Sequence, residues 1–207
     1  MRRKSIAALL DLLVAMLEER GALAIYGEPG TLRTRLALLT CSRFSPCVYV
    51  VTGRHARLED LPGRVTVART MSFYDELLVL IKAVGLVKSG AVKAIAVDEL
   101  LANLVPYRAS LSESIVARML LAEVELLHSL TEYGGKAIVV CSEDPRTGGP
   151  LALRYLRRLK PRLLRTSVAE RVLTVEERDL ADPLTVLWRT EIDADEVERA
   201  CARSRSS

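Results

Sequence analysis

Five short, almost uninterrupted apolar runs are the feature that most limits how this chain can fold. Stretches with the spacing of amphipathic helices lie between them. Strands that are buried on both faces give continuous apolar runs, whereas strands with one wet face alternate apolar and polar residues. The pattern therefore predicts an α/β protein with a mostly parallel, twisted sheet and helices on both faces. The predicted strands are Ala22–Tyr26, Val48–Val51, Val65–Ala68, Ala94–Asp98 and Ala137–Cys141.

Helix signals surround these strands. Gly21 is placed to stop the first helix, and Ser72 is placed to cap a later one. Ser110-Leu111-Ser112-Glu113 has the form of a capping box and predicts the start of a long helix. The predicted helices run over Ser5–Glu19, from about Arg33 to Leu39, from Ser72 to about Val87, and from Ser110 to Gly134-Gly135.

The C-terminal part of the chain changes character. Ala169–Val175 and Leu184–Thr190 read as two strands close together, which predicts an antiparallel C-terminal edge of the sheet. Arg54–Gly63 reads as a polar loop or short helix. With 207 residues, half of them hydrophobic, the chain is long enough for one domain with a full core. That domain would comprise an N-terminal helix (1–20), a core (22–165), C-terminal strands with a short helix (166–202) and a frayed tail (203–207).

Composition excludes several classes of protein. The net charge of +4 is too small to indicate nucleic-acid binding by itself. The four cysteines form no C-x-x-C pair, and only His55 and His128 could assist them, so we expect buried or incidental thiols with no zinc and no haem. Asp11 interrupts the apolar N-terminal run, which does not fit a signal peptide, and no run is long enough to span a membrane. These features indicate a cytoplasmic protein without a membrane partner.

A glycine-containing turn joins the first predicted strand to the helix that follows. In the stretch Ala22–Leu36, the apolar run ends at the turn Gly27-Glu28-Pro29-Gly30-Thr31, and a helix starts at about Arg33. Free backbone N–H groups and the positive end of a helix favour an anion at such a turn, so these residues form a candidate phosphate cradle. The alternative is an ordinary strand-to-helix turn punctuated by Gly and Pro.

The cradle partly matches the Walker A pattern G-x-x-x-x-G-K-[ST]. Gly27 and Thr34 occupy its first and last positions, whereas Leu32 replaces the second glycine and Arg33 the lysine. Asp98 ends an apolar strand, as Walker B aspartates do, and with Thr34 it forms a candidate Mg²⁺ pair. The candidate nucleotide-binding residues are Gly27, Glu28, Pro29, Gly30, Thr31, Leu32, Arg33, Thr34 and Asp98.

Glu99, directly after Asp98, is a weak candidate for a catalytic carboxylate. In many ATPases a carboxylate at this point polarises the attacking water. The alternative is that Asp98 and Glu99 are simply solvated at the end of a strand.

The order of these elements resembles the ATPase core of the RecA/RadA recombinase family, and most of all its short archaeal paralogues of the RadB type. The segment GEPGTLRT stands where the family has G-E-x-G-S-G-K-T. Val67-Ala68-Arg69 matches a V-A-R strand, and Ser112–Tyr133 matches a long helix that ends in E-Y-G or E-F-G. Ala137–Ser142 stands for the strand that ends in T-N-Q, and Gly148-Gly149 for P-x-G-G. The resemblance covers nearly the whole chain and implies a RecA-like P-loop fold over the core.

Departures from the family pattern concentrate on the chemistry of ATP hydrolysis. Gly53 stands where the family's D-T-E-G carries its water-activating Glu. Arg33 is larger and more planar than the Walker lysine, and Leu32 costs about 1 kcal/mol if its position requires a positive φ. Glu143 replaces the phosphate-sensing Gln and would repel a γ-phosphate. ATP and Mg²⁺ are therefore possible ligands, but hydrolysis is expected to be weak or lost.

The two loops that hold DNA in the resembled family are reduced here. The first, Leu100–Ser112, has Arg108 as its one basic residue, and the second, Ser142–Thr147, has Arg146. A basic stretch follows from Arg154, and its arginines share a helical face that could track a phosphate backbone. The alternative is an amphipathic helix with a solvated arginine face. The candidate DNA-binding residues are Arg108, Arg146, Arg154, Arg157, Arg158 and Lys160.

The resemblance and the departures together predict an accessory role. We expect a divergent recombinase paralogue that acts in recombinational DNA repair by binding single-stranded DNA, a RadA-type recombinase, or both, with weak or absent ATP hydrolysis. One alternative is an active DNA-dependent ATPase in which Arg33 and Glu99 have taken over the missing roles. The other is a structural subunit that binds neither nucleotide nor DNA.

Overall fold

A computed structural model of the chain describes residues 4–52 and 65–203. The predictions for Gly53, His55, the segment Arg54–Gly63 and most of the frayed tail lie outside these residues. The strands are β1 (Ala22–Gly27), β2 (Cys47–Thr52), β3 (Val65–Thr70), β4 (Ala94–Asp98), β5 (Lys136–Ser142), β6 (Arg162–Ala169), β7 (Val172–Arg178) and β8 (Val186–Asp193). The helices are α1 (Ile6–Arg20), α2 (Arg33–Ser42), α3 (Phe73–Lys88), a 3-10 segment (Ala102–Ala109), α4 (Glu113–Glu132), α5 (Leu153–Leu159) and α6 (Ala194–Arg203).

The eight strands form one sheet in the order β3-β2-β4-β5-β1-β6-β7-β8. Strands β1 to β6 pair in parallel, and β7 pairs antiparallel with β6 on one side and β8 on the other. The prediction of a mostly parallel sheet with antiparallel pairing at its C-terminal edge is confirmed. Because β4, β5 and β1 are neighbours that run in one direction, their carboxyl ends meet at one edge, which we call the carboxyl edge.

Helices cover both faces of the sheet, as predicted. One buried apolar cluster joins β1, β2 and β5 to α1, α2 and α6, and a second joins the opposite face of the sheet to α3, α4 and α5. All four cysteines are buried. In the described part of the chain, no helix is long and apolar enough to cross a membrane.

The predicted helix caps of α1 and α3 are confirmed. The Ser5 hydroxyl accepts a hydrogen bond from the Ala8 N–H at 3.3 Å, and the Ser72 hydroxyl accepts one from Asp75 at 3.1 Å. Gly21 ends α1 in the left-handed conformation, with φ at 76°, and its N–H donates to the Leu17 carbonyl at 2.8 Å. Local side-chain and backbone chemistry alone places these boundaries.

Several elements differ from the prediction. α4 begins at Glu113 with Ser112 as its N-cap, because the preceding 3-10 segment extends to Ala109. The predicted strand Ala169–Val175 is broken by a turn at Glu170 and Arg171, which have φ values of 51° and 61°. The strand before that turn, β6, was not predicted, because its arginines conceal the apolar pattern and are paired with glutamates only in the folded protein.

A pair of buried carboxyl groups lies between α3 and α4. Glu76 and Glu123 are fully buried, and the Asn103 amide donates to Glu76 at 2.6 Å and to the Thr70 hydroxyl at 2.9 Å. Burial raises the pKa of both glutamates, and the neighbouring Glu76 raises the pKa of Glu123 further. The pair therefore retains a proton that isolated glutamates would lose.

Candidate functional site

The turn between β1 and α2 is tied tightly to β6. A Cβ atom on Gly27 would lie only 2.2 Å from the Thr166 carbonyl oxygen, so only glycine fits at that position. The Thr31 hydroxyl donates to the Glu28 carbonyl at 2.7 Å and lies 2.9 Å from the Thr166 hydroxyl. These contacts hold the turn in a fixed shape at the carboxyl edge, where ligands of open α/β sheets bind.

The geometry of the turn suits an anion. Leu32, directly before α2, has φ at 60° and ψ at 17°, which is the left-handed region that glycine occupies without strain. Within the described residues, the backbone N–H groups of Gly30, Thr31 and Leu32 donate no hydrogen bond. Free N–H groups at the positive end of a helix attract negative charge. Leu32 thus adopts a backbone conformation that a glycine would adopt without strain.

Arg33 is buried and held in place by three acceptors. One of its Nη atoms donates to the Cys141 carbonyl at 2.6 Å and to the Ser142 hydroxyl at 3.4 Å. The other lies 2.8 Å from a carboxylate oxygen of Glu99. The side chain of Arg33 is only 9% exposed, so this ion pair is shielded from solvent on the arginine side. The guanidinium of Arg33 is therefore occupied by groups at the ends of β4 and β5.

Glu99 is engaged by the same contacts. Its second carboxylate oxygen accepts a hydrogen bond from the Ser142 hydroxyl at 3.1 Å, and its backbone has φ at 59°. Both carboxylate oxygens of Glu99 are therefore already occupied, one by the Arg33 guanidinium and the other by the Ser142 hydroxyl. The two residues that an active ATPase would need as substitutes therefore neutralise each other.

Thr34 and Asp98 are brought together as predicted. The Thr34 hydroxyl donates to a carboxylate oxygen of Asp98 at 3.1 Å. Burial raises the pKa of Asp98 to about 6, against the opposing effect of the Thr34 hydrogen bond, while the charge of Glu99 raises it further. A hydroxyl and a carboxylate side by side provide oxygen ligands of the kind that Mg²⁺ prefers. These two residues would therefore hold the ion of a bound Mg–nucleotide.

Glu143 does not face the cradle as an unpaired charge. It forms a two-pronged ion pair with Arg165 of β6, with distances of 2.9 Å from Nε to Oε2 and 3.0 Å from Nη2 to Oε1. Paired geometry of this kind is strong and directional. The repulsion of a γ-phosphate that the sequence suggested is therefore largely neutralised by Arg165.

The predicted DNA-binding residues lie in three places, and Arg154 lines two of them. Arg108 and Arg154 line one cavity between the 3-10 segment, α4 and α5, whereas Arg146 is exposed in the turn after β5. The basic residues of α5 and its C-cap line a groove beside α4, and they are Arg154, Arg157, Arg158 and Lys160. Because α5 runs from the carboxyl edge back towards the start of β6, this groove leads away from the cradle.

Three of these arginines are held by protein groups. Arg158 Nε donates to Glu125 at 2.7 Å, and Arg157 Nη2 donates to the Ala181 carbonyl at 3.1 Å. Arg154 lies 3.7 Å from Glu113 and stacks on the Tyr155 ring at 4.5 Å from its centroid. A phosphate backbone would have to replace these contacts, of which the two ion pairs are exposed and therefore weak.

Sequence reasoning missed several residues that complete the site. The buried Tyr49 hydroxyl donates to the Thr34 carbonyl at 3.1 Å and fixes the start of α2. Ser142 joins Arg33 to Glu99, and Arg165 neutralises Glu143. A tyrosine inside an apolar strand was a usable signal, because a buried hydroxyl needs a partner. Nothing in the sequence marked the partners of Ser142 and Arg165, which come from distant parts of the chain.

No group of three or more His, Cys, Asp and Glu side chains in residues 4–52 and 65–203 is arranged to hold a metal ion. Compared with known proteins, the chain matches no family model and no curated protein.

Proposed function

We propose that this chain is a divergent RecA/RadA-like paralogue in which the P-loop core serves as a scaffold for binding rather than as an ATPase. It would act as an accessory or regulatory protein in recombinational DNA repair, with ATP turnover weak or absent. The strand order, the turn after β1 and the pair Thr34–Asp98 support the P-loop part of this proposal.

The observation that carries the proposal is the ion pair between Arg33 and Glu99. A P-loop cation stabilises the charge that develops on the transferred phosphoryl group, and a carboxylate base activates the attacking water. Here each of those candidates is bound to the other at 2.8 Å. Separating an ion pair whose guanidinium is buried costs free energy, and this cost would fall on every catalytic cycle.

A protein partner is favoured over DNA as the principal ligand. The arginines that could hold a phosphate backbone on α5 are engaged with Glu113, Glu125 and the Ala181 carbonyl. A surface built for single-stranded nucleic acid combines free cations with aromatic stacking platforms. We therefore propose a RadA-type recombinase as the main partner, with single-stranded DNA as a weaker ligand.

Nucleotide titration and phosphate release test the proposal together. Wild-type protein is expected to bind Mg–ATP weakly or not at all and to release phosphate far more slowly than an active recombinase, with or without single-stranded DNA. The double variant Leu32→Gly, Arg33→Lys should bind ATP more tightly, because it frees the cradle and removes the guanidinium. Asp98→Asn in that background is the control, since it should remove the dependence on Mg²⁺.

Two outcomes would contradict the proposal in different ways. DNA-stimulated phosphate release at the rate of an active recombinase, lost in Glu99→Gln, would establish the ATPase alternative. Unchanged nucleotide binding in the double variant would show that Arg33 is not the obstruction and would favour a structural subunit.

A further inference from the structure

A small cavity opens between the 3-10 segment, α4 and α5. Its volume is about 240 cubic ångströms, which is below the roughly 300–1,000 cubic ångströms of pockets for drug-sized ligands. It is therefore suited to one side chain rather than to a whole nucleotide. Its floor is aliphatic and consists of Leu101, Leu104, Val116, Ala117 and Leu120.

The rim of the cavity is charged. Arg108 and Arg154 lie at the mouth together with Glu113, and Tyr155 forms one wall. Within the described residues, Arg108 forms no ion pair, while Arg154 lies 3.7 Å from the highly exposed Glu113. The rim therefore carries a positive charge that Glu113 does not fully balance, next to the apolar floor of the cavity.

Apolar side chains around the mouth are exposed to solvent. Leu111 and Leu151 line the opening and are 36% and 42% exposed. Exposed apolar residues that gather on neighbouring elements around a pocket are typical of protein-binding sites.

We infer that this cavity docks a peptide segment of a protein partner that carries one bulky apolar side chain next to an acidic residue. The inference rests on the proposed function, since it names how the partner would be held. The apolar side chain would fill the aliphatic floor, and the acidic residue would pair with Arg108 at the rim. A central apolar anchor surrounded by a charged rim is the usual plan of a protein interface.

A nucleobase fits the cavity less well than an apolar side chain. Bases are held by stacking on flat groups and by hydrogen bonds to their edges. The aliphatic side chains of the floor offer neither, and the Arg154 guanidinium already covers the ring of Tyr155. The same surface that the sequence marked as a reduced DNA loop is thus better matched to protein.

Selection from a phage-displayed library of random peptides tests this inference on the full chain. Ala117→Phe places a ring in the cavity, whereas Ala122→Phe adds the same ring to an exposed position of α4 that does not line it. Arg108→Glu reverses the rim charge, and Arg118→Glu is its control on an exposed part of α4. Circular dichroism verifies that each variant is folded.

Wild-type protein and both controls should enrich peptides that carry a bulky apolar residue beside Asp or Glu. Affinity for a selected peptide should fall about 30-fold or more in Ala117→Phe and about 3- to 10-fold in Arg108→Glu. Enrichment that is absent in the wild type, or unchanged in Ala117→Phe, would overturn the inference. Oligothymidylate binding that is lost in Ala117→Phe and kept in Ala122→Phe would also overturn it, by showing a base pocket.

These results are independent of the nucleotide experiments. If the wild-type protein hydrolyses ATP but still selects such peptides, the proposed loss of turnover is refuted and the docking inference is supported. If it does not hydrolyse ATP and selects no peptide, the docking inference is refuted and the proposed loss of turnover is supported.

Discussion

The cradle and the basic helix α5 each carry arginine at a place where the sequence suggests that an anion binds. The two regions differ in how far the guanidinium is buried. In the cradle, Arg33 is buried and meets Glu99, the Cys141 carbonyl and the Ser142 hydroxyl. On α5, Arg158 contacts Glu125; its side chain is 63% exposed against 9% for Arg33, whereas the two glutamates are similarly exposed, Glu125 at 40% and Glu99 at 37%. The two Arg–Glu contacts have nearly equal lengths, 2.8 Å and 2.7 Å.

Contact distance alone does not decide the strength of an ion pair. An exposed pair gains little because water screens it and competes for both groups. A buried guanidinium is not solvated by water, so loss of its partner leaves a charge that is not compensated. The cradle is therefore expected to be rigid and sensitive to substitution, whereas α5 is expected to tolerate it.

The largest effect should come from Glu99→Gln. The amide keeps the shape of the side chain but removes the charge that directly contacts the buried Arg33, so the free energy of unfolding should fall by about 3 kcal/mol, the low end for a buried pair because Glu99 is 37% exposed. Urea denaturation at neutral pH measures the change. A loss below about 0.5 kcal/mol, as expected for an exposed pair, would show that the cradle and α5 do not differ as argued.

The next effect is a pH dependence confined to the cradle. The folded pKa of Asp98, about 6, lies above its unfolded value, so the folded protein holds an extra proton between about pH 4 and pH 6. The contribution of this group to stability is full below pH 4 and falls by about 2–3 kcal/mol as the pH rises through 6.

Asp98→Asn should remove that part of the pH profile, so the difference in unfolding free energy between wild type and variant should change over this range. Urea denaturation at a series of pH values measures it, with Asp182→Asn as an exposed control. Parallel profiles for wild type and Asp98→Asn would contradict the burial argument.

A smaller effect separates the two left-handed residues at the ends of these regions. Leu32 in the cradle and Lys160 after α5 have φ values of 60° and 50°. Lys160→Gly should stabilise the protein by about 0.5–1 kcal/mol, because glycine adopts this conformation without strain. Leu32→Gly should gain less, since the Leu32 side chain packs against the core and that contact would be lost. Thermal unfolding compares them, and an equal gain in both would show that Leu32 packing contributes nothing.

The smallest effect should come from Glu125→Gln, the matched change on the α5 side. It removes the charge that faces Arg158, and the unfolding free energy should change by less than about 0.5 kcal/mol. Urea denaturation with and without added salt measures it. A loss comparable to that of Glu99→Gln would mean that exposure does not distinguish the two pairs.

Local patterns were sufficient to predict most of the fold. Apolar runs located five strands of the sheet, and Ser5, Gly21 and Ser72 located helix boundaries, because these signals act within a few residues. β6 was missed because Arg162 and Arg165 interrupt its apolar pattern. In the folded protein Arg162 pairs with Glu19 and Glu177, and Arg165 pairs with Glu143, so the charges are tolerated inside the sheet.

The candidate site was predictable in its residues but not in its electrostatics. Local patterns were enough to place Gly27, Thr34 and Asp98 at the carboxyl edge, since parallel strands bring their ends together. The contact of Arg33 with Glu99 and that of Arg165 with Glu143 became apparent only in the folded chain. The same holds for Glu76 and Glu123, whose pKa values are raised by burial. The physical reason is that the state of a charge depends on burial and on partners far away in the chain, which no local pattern encodes.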